Sequence, residues 1–125
     1  MNRWFARFAR RERLSSEQLC QAMDRAARGL IDADLGGGVI KQRVARPGRG
    51  KSGGYRVIVV WRSADRAFFI RGFAKNERDN LEVDEFYAIR DVARDLLALT
   101  QNQLNRLVAT NEFAEIDCDA QTLQE

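Results

Sequence analysis

Residues 46–62 read RPGRGKSGGYRVIVVWR, a cationic, glycine-rich segment followed directly by an apolar one. The apolar part, residues 55–62, is hydrophobic at nearly every interior position, which predicts a central strand covered on both faces. The glycines allow backbone N–H groups to approach a phosphate closely. The segment therefore predicts a sheet that carries a cationic loop at its edge and presents Arg56 from the strand itself.

Before this segment, hydrophobic periodicity predicts helices. Alternation over residues 1–5 fits a short edge strand, after which Phe5, Phe8 and Ala9 follow helical spacing. A capping box formed by Ser15 and Gln18 indicates the start of a second helix. That helix carries an apolar stripe that is expected to pack in the core: Leu19, Met23, Ala26, Ala27 and Leu30.

The three glycines at 36–38 end the helical region, and hydrophobic residues then recur with a period of two. Strand 39–46 places Ile40 and Val44 on a packed face and Lys41 and Arg43 on the other. The remaining elements expected from the pattern are strands at 55–62 and 67–73 with a hairpin loop at 63–65, a helix at 83–99 and a further turn or two over 101–108. Together they predict an α+β fold.

Charge is distributed unevenly over the 125 residues, although the formal net charge is only +3. Residues 41–56 contain six basic and no acidic side chains, whereas residues 79–125 contain eleven acidic against three basic. Such asymmetry favours a nucleic acid or another polyanion as partner, and a solvated charged surface is the alternative. The length predicts one domain over residues 1–112, followed by a frayed acidic tail at 113–125.

The absence of histidine from the sequence excludes Ser-His and Cys-His catalysis and makes a zinc site implausible. Cys20 and Cys118 suggest neither a disulfide framework nor a metal-ligand spacing, so no cofactor or metal is expected. No apolar run approaches the ~20 residues of a membrane span. The N-terminus lacks the apolar core of a signal peptide, and the sequence therefore predicts a cytoplasmic protein without a membrane partner.

Two motifs together resemble a known family: GRGKSGGYR at 48–56 and, after a hairpin, FAKNERDN at 73–80. They are similar to the HigB-type branch of the RelE/ParE toxin superfamily, the toxin halves of bacterial toxin–antitoxin pairs. The resemblance implies two N-terminal helices packed on a small antiparallel sheet, with a C-terminal helix. It also implies a ribosome-dependent endoribonuclease that cuts mRNA by attack of the ribose 2′-hydroxyl on the adjacent phosphate. The implied partners are the ribosome, mRNA and a cognate antitoxin, a small helix-turn-helix protein.

The resemblance implies roles for individual residues. Arg56 matches the arginine that such toxins place on the scissile phosphate, and Arg49 and Lys51 match the loop that engages the RNA backbone. Lys75, Asn76 and Glu77 coincide with the Lys-Arg-Glu catalytic run of RelE-like relatives. The predicted catalytic residues are Arg56, Lys75 and Glu77, and the predicted RNA-binding residues are Lys41, Arg43, Arg49, Lys51 and Asn76.

Several alternatives stay open. Asn76 stands where several relatives have arginine, and Leu81 stands near where they carry a catalytic tyrosine. These departures leave the general base of the reaction open between Glu77 and Lys75. Glu77 is equally well explained as a salt-bridge partner of Arg56. Tyr55 and Trp61 alternate with Arg56 and fit core packing better than base stacking.

As a strand-edge side chain, Arg56 is expected to contribute under ~1 kcal/mol to stability. At the level of function, the alternatives to an endoribonuclease are a ParE-like toxin that inhibits a protein target such as DNA gyrase, and a non-catalytic RNA-binding module.

Overall fold

The computed structural model describes residues 1–45, 54–62, 66–75 and 80–118 of the chain. Within them two helices precede a sheet and two helices follow it. The elements are α1 (Arg3–Glu12), α2 (Ser16–Ala27), β1 (Ala33–Gly36), β2 (Val39–Val44), β3 (Tyr55–Arg62), β4 (Arg66–Ala74), α3 (Val83–Ala98) and α4 (Gln101–Ala109). The expected α+β fold is confirmed, and the expected hairpin loop at 63–65 lies outside the described residues.

The four strands form one antiparallel sheet in the order β1-β2-β3-β4. Strand β3 occupies residues 55–62 as predicted, lies between two neighbours and is buried along nearly its whole length. Strand β1 was not predicted from the sequence. Instead of ending a helix, Gly36, Gly37 and Gly38 form the turn between β1 and β2, and all three have positive φ angles, which glycine adopts at no steric cost.

Helices α1 and α2 cover one face of the sheet. Asn2 caps α1, because its side-chain oxygen accepts a 2.8 Å hydrogen bond from Phe5 N. The edge strand expected at residues 1–5 is therefore wrong, since helix α1 begins at Arg3. The capping box of α2 is confirmed: Gln18 N donates to Ser15 Oγ and Ser15 N donates to Gln18 Oε1.

The core between these helices and the sheet is built from Phe5, Phe8, Leu19, Ala22, Ile40, Val44, Tyr55, Val57, Val59 and Phe69. Tyr55 is buried in it, with its hydroxyl 3.1 Å from Glu12 Oε2, and Trp61 packs against its edge. Both aromatic residues thus pack in the core, as expected. Leu30 does not, since α2 ends at Ala27 and Gly29 turns the chain away with a φ of 85°. It is 60% exposed.

Helix α3 covers the other face, with α4 and Phe113 beside it. Ile89, Ala93 and Leu96 of α3 pack on side chains that alternate with those of the first core: Val39, Ile58, Val60, Phe68, Ile70 and Phe73. The helix begins and ends within one residue of the predicted bounds. Burial on both faces explains why β3 is apolar at consecutive positions.

Gly72 allows α1 to approach β4 closely. A methyl group built on it would overlap the ring of Phe8, whose side chain lies directly over this position. We expect Gly72→Ala to lower the free energy of unfolding by about 1–3 kcal/mol, the usual cost of overpacking. Urea unfolding monitored by circular dichroism would measure it. In a Phe8→Leu background the same substitution should cost clearly less, and equal costs in both backgrounds would contradict this contact as the cause.

The C-terminal end of the described chain contacts its N-terminal residues. Asn2 and Phe113 form an antiparallel bridge, and Ala114 N donates a 2.9 Å hydrogen bond to Met1 O. Fraying was expected from residue 113 onward, but residues 113–118 make these contacts, and residues 119–125 lie outside the described part. The division into a domain at 1–112 and a tail stays a prediction.

The expectation that the two cysteines form no disulfide is wrong. Cys20 of α2 is bonded to Cys118, with the Cα atoms 5.5 Å apart and the two residues 98 positions apart along the chain. The bond fastens the C-terminal segment to the layer formed by α1 and α2. No spacing rule could indicate it, because the pairing exists only once the segment has folded back.

Candidate functional site

Two arginines stand opposite one another on neighbouring strands. The Cα atoms of Arg43 in β2 and Arg56 in β3 are register partners, so both side chains start from the same face of the sheet. Two like charges in such a pair repel each other. Asp32, just before β1, relieves the repulsion, because its Oδ1 lies 3.4 Å from Arg43 Nε and its Oδ2 lies 3.3 Å from Arg56 Nε.

Arg56 is buried, which the sequence did not predict. It is only 3% exposed, and its Nη1 also donates a 3.5 Å hydrogen bond to the carbonyl of Tyr55. A buried guanidinium requires partners because desolvation of an isolated charge is costly. The premise of an accessible strand-edge side chain is therefore wrong, since Arg56 is buried beside Asp32. We now expect a contribution to stability above ~1 kcal/mol, because removing Arg56 would leave Asp32 without its buried partner.

Arg43 is the more accessible member of the pair. Its side chain is 54% exposed, whereas that of Asp32 is 19% exposed. Arg56, Asp32 and Arg43 thus form a row of charged groups that runs from the interior to the surface. One carboxylate holds two guanidinium groups, with Arg43 accessible to a phosphate and Arg56 buried behind it.

Lys41 lies on the same face of the sheet as Arg43, and the backbone of Lys75 lies beside the start of β3. Lys41 is the register partner of Ile58, two residues beyond Arg56 along β3, and its Nζ donates a 2.8 Å hydrogen bond to Asn80 Oδ1. Lys75 follows β4, and its backbone N donates a 3.0 Å hydrogen bond to Gly54 O. The fold therefore gathers four predicted site residues at one end of the sheet, namely Lys41, Arg43, Arg56 and Lys75.

The other four predicted site residues lie outside the described part of the chain. Arg49 and Lys51 belong to residues 46–53, and Asn76 and Glu77 to residues 76–79. The hydrogen bond between Lys75 and Gly54 joins the described residues that flank these two segments. The roles of all four residues stay predictions.

Asp32 is the site residue that sequence reasoning missed. It lies in no recognisable motif, and its contacts with Arg43 and Arg56 depend on β1, which was not predicted either. Two acidic residues, Asp32 and Asp34, in the stretch before a basic strand were the only signal, and such residues are common on protein surfaces.

Helix α3 adjoins the site at its N-terminal end. Arg71 of β4 forms an ion pair with Glu85, which also accepts from the backbone of Glu82 in a capping arrangement. A cavity of about 290 Å³ lies between this end of α3 and the sheet, lined by Leu35, Lys41, Ile58, Asn80, Leu81, Val83, Phe86 and Tyr87. Leu81 packs against the second core, so it offers no proton-transfer group where relatives carry tyrosine.

In the described ranges, His, Cys, Asp and Glu residues nowhere form a group of three that could hold a metal ion. Nor is any helix within those ranges long and apolar enough to cross a membrane.

An antiparallel sheet with two N-terminal helices is consistent with a RelE/ParE-type toxin, and comparison with known families shows that class. Residues 1–116 match the family described as the RelE toxin of the RelE/RelB toxin–antitoxin system. The chain belongs to this family, and membership implies a cognate antitoxin as partner. The family match does not distinguish the HigB-type branch. None of the curated proteins compared with the chain matches it.

Proposed function

We propose that this toxin is a ribosome-dependent mRNA endoribonuclease of the HigB-type branch, neutralised by a small helix-turn-helix antitoxin. The observation that carries the proposal is the pairing of Arg43 and Arg56 through Asp32 on one face of the sheet. Two guanidinium groups held by one carboxylate provide a binding site for a phosphodiester without a metal ion.

The proposed reaction is attack of a ribose 2′-hydroxyl on the adjacent phosphate, which leaves a cyclic phosphate and a free 5′-hydroxyl. Negative charge grows on the non-bridging oxygens in the transition state, and Arg56 donates charge-assisted hydrogen bonds to them. Arg43, the exposed member of the pair, meets the incoming phosphate first. Asp32 is already engaged by both arginines, so we assign it a positioning role.

Proton transfer falls to Lys75 or Glu77, as the sequence suggested. Lys75 is half-buried and lies two residues beyond Phe73, the register partner of Arg56. Lys75 lies in the turn directly after β4, and its backbone N bonds to Gly54 O just before β3. We therefore propose that its long side chain reaches the phosphate held by Arg56. Asn76, Arg49 and Lys51 are proposed to hold the RNA on either side of the cut.

Mapping mRNA 5′ ends after induction tests this function. We expect new ends that keep a fixed phase relative to the reading frame, and we expect them to disappear when translation initiation is blocked before induction. Growth arrest without new 5′ ends would contradict cleavage and favour the ParE-like alternative. RNA that co-purifies with the protein but stays uncut would favour the non-catalytic module.

A further inference from the structure

Helix α1 presents a continuous basic surface that the proposed active site does not use. Successive residues turn by about 100° around a helix, which places its four arginines on one arc of about 100°. This basic stripe consists of Arg3, Arg7, Arg10 and Arg11, all exposed. Trp4 borders the stripe and is 70% exposed. Phe5, Phe8 and Ala9 occupy the opposite side of the helix and are buried.

In the described structure the stripe has few close acidic partners, although Glu112 lines the same groove as Arg3, Arg7 and Arg10. Arg3 Nε donates to the carbonyl of Asn111, and Arg11 lies over the ring of Phe8 and 3.8 Å from Glu12. Within the described residues, no carboxylate oxygen lies within 4.0 Å of a side-chain nitrogen of Arg7 or Arg10. The first turn of α1 contains no acidic residue. The stripe therefore holds several cations along a single helix, and its two central arginines form no ion pair within the described residues.

The stripe and the candidate active site lie on opposite faces of the sheet. Helix α1 packs through Phe5 and Phe8 on Phe69 and Tyr55, whose side chains belong to the first core. Arg56 alternates with Tyr55 along β3 and starts from the other face. One molecule can consequently contact two polyanionic strands or helices at the same time.

The side chains of the basic stripe are suited to binding consecutive phosphates of a nucleic-acid backbone. It contains arginine without lysine, and guanidinium groups bind phosphate oxygens in bidentate geometry. Arg3 and Arg11 are separated by a rise of about 12 Å along the helix, so the charges follow a line rather than a cluster. A protein partner would need an apolar centre at its interface, but Trp4 is the only large apolar side chain on this arc of α1.

We propose that the basic stripe of α1 binds the phosphate backbone of double-helical RNA while the opposite face of the sheet holds the single-stranded mRNA. Only the second half of this statement rests on the proposed function. Binding of an RNA duplex needs no cleavage, so the two ideas can fail separately.

The test uses the full chain and a fluorescein-labelled RNA duplex longer than α1, with anisotropy measured over a range of salt concentrations. The variant Arg7→Gln/Arg10→Gln should decrease the magnitude of the salt slope by about 1.8, since each lost contact with a duplex phosphate removes about 0.9. At 0.15 M salt this corresponds to roughly tenfold to thirtyfold weaker binding.

Arg90→Gln/Arg94→Gln on α3 is the matched control, because it removes two exposed positive charges from the other face of the molecule. It should bind the duplex like the unmodified protein. If both double variants lose affinity equally, binding reflects net charge alone and the proposal is wrong. If Arg7→Gln/Arg10→Gln binds the duplex normally but no longer binds the antitoxin, the stripe is a protein-binding surface and the proposal is likewise wrong.

Trp4 provides a second, local readout. The chain has two tryptophans, and Trp61→Phe leaves Trp4 as the single emitter. In that background, addition of the RNA duplex should quench the fluorescence and reduce its accessibility to acrylamide. Unchanged fluorescence at saturating duplex would overturn the placement of RNA on α1, whatever the result of the cleavage assay.

Discussion

Arg56→Lys is expected to reduce mRNA cleavage by about 10²–10³-fold, the usual effect of losing one preorganised donor to a developing oxyanion. Lysine preserves the positive charge beside Asp32, but it loses the planar fork that donates two parallel hydrogen bonds to a phosphate. Primer extension on a translated message, with the variant and unmodified protein at equal concentration, would measure the change. An Arg56→Lys protein that is folded and cleaves at the unmodified rate would remove Arg56 from the reaction.

Arg56→Ala is expected to combine that loss with instability. Because Arg56 is 3% exposed and paired with Asp32, its removal should lower the free energy of unfolding by about 3 kcal/mol. This value is near the lower end for a broken buried ion pair, because Asp32 is partly exposed. The double variant Arg56→Ala/Asp32→Ala should recover part of this difference. Arg43→Ala is the matched control on the same carboxylate, and its exposed pair should contribute about 0–1 kcal/mol. Equal losses for Arg43→Ala and Arg56→Ala would contradict the buried pair.

Reduction of the Cys20–Cys118 bond is expected to lower the free energy of unfolding by about 3–5 kcal/mol. The two residues are 98 positions apart, and the chain-entropy model gives about 4.7 kcal/mol for a loop of about 100 residues. Urea unfolding with and without dithiothreitol, after air oxidation, would measure the difference. Activity should respond less, because the bond joins α2 to the C-terminal segment and lies away from Arg43 and Arg56.

The control for this experiment is Cys118→Ser. This variant should have the same stability with and without dithiothreitol, and that stability should match the reduced form of the unmodified protein. Two results together would contradict the disulfide. Alkylation and mass spectrometry would detect free thiols in the air-oxidised protein, and its stability would be equal with and without dithiothreitol.

The elements that the sequence predicted well are those that carry local signals. Strand β3 is apolar over a strand length, α2 begins with a capping box, and α3 has a regular apolar stripe, so short-range patterns were sufficient. Strand β1 was missed because its four residues, ADLG, are too few for a strand pattern and run directly into a glycine turn. Its pairing with β2 is created by the glycine turn at 36–38.

The sequence predicted the basic residues of the candidate site but not its acidic residue, Asp32. Period two placed Arg43 opposite the packed side chains of its strand and Arg56 opposite Tyr55 and Trp61. The register of β2 and β3 then puts both arginines on one face of the sheet. The burial of Arg56 and its contact with Asp32 depend on a residue 24 positions away and on the missed strand. Long-range contacts of this kind, like the pairing of Cys20 with Cys118, have no periodic signature in a single sequence.

The contact between the two ends of the described chain determines when the toxin can finish folding during its own synthesis. The ribosome releases residues in order, so Met1, Asn2 and Cys20 must wait for their partners at 113–118. Helices α1 and α2 and the whole sheet leave the ribosome before those closing contacts exist. A toxin message cut between codons 57 and 113 would therefore yield a chain that contains Arg56 but lacks both the terminal bridge and the disulfide.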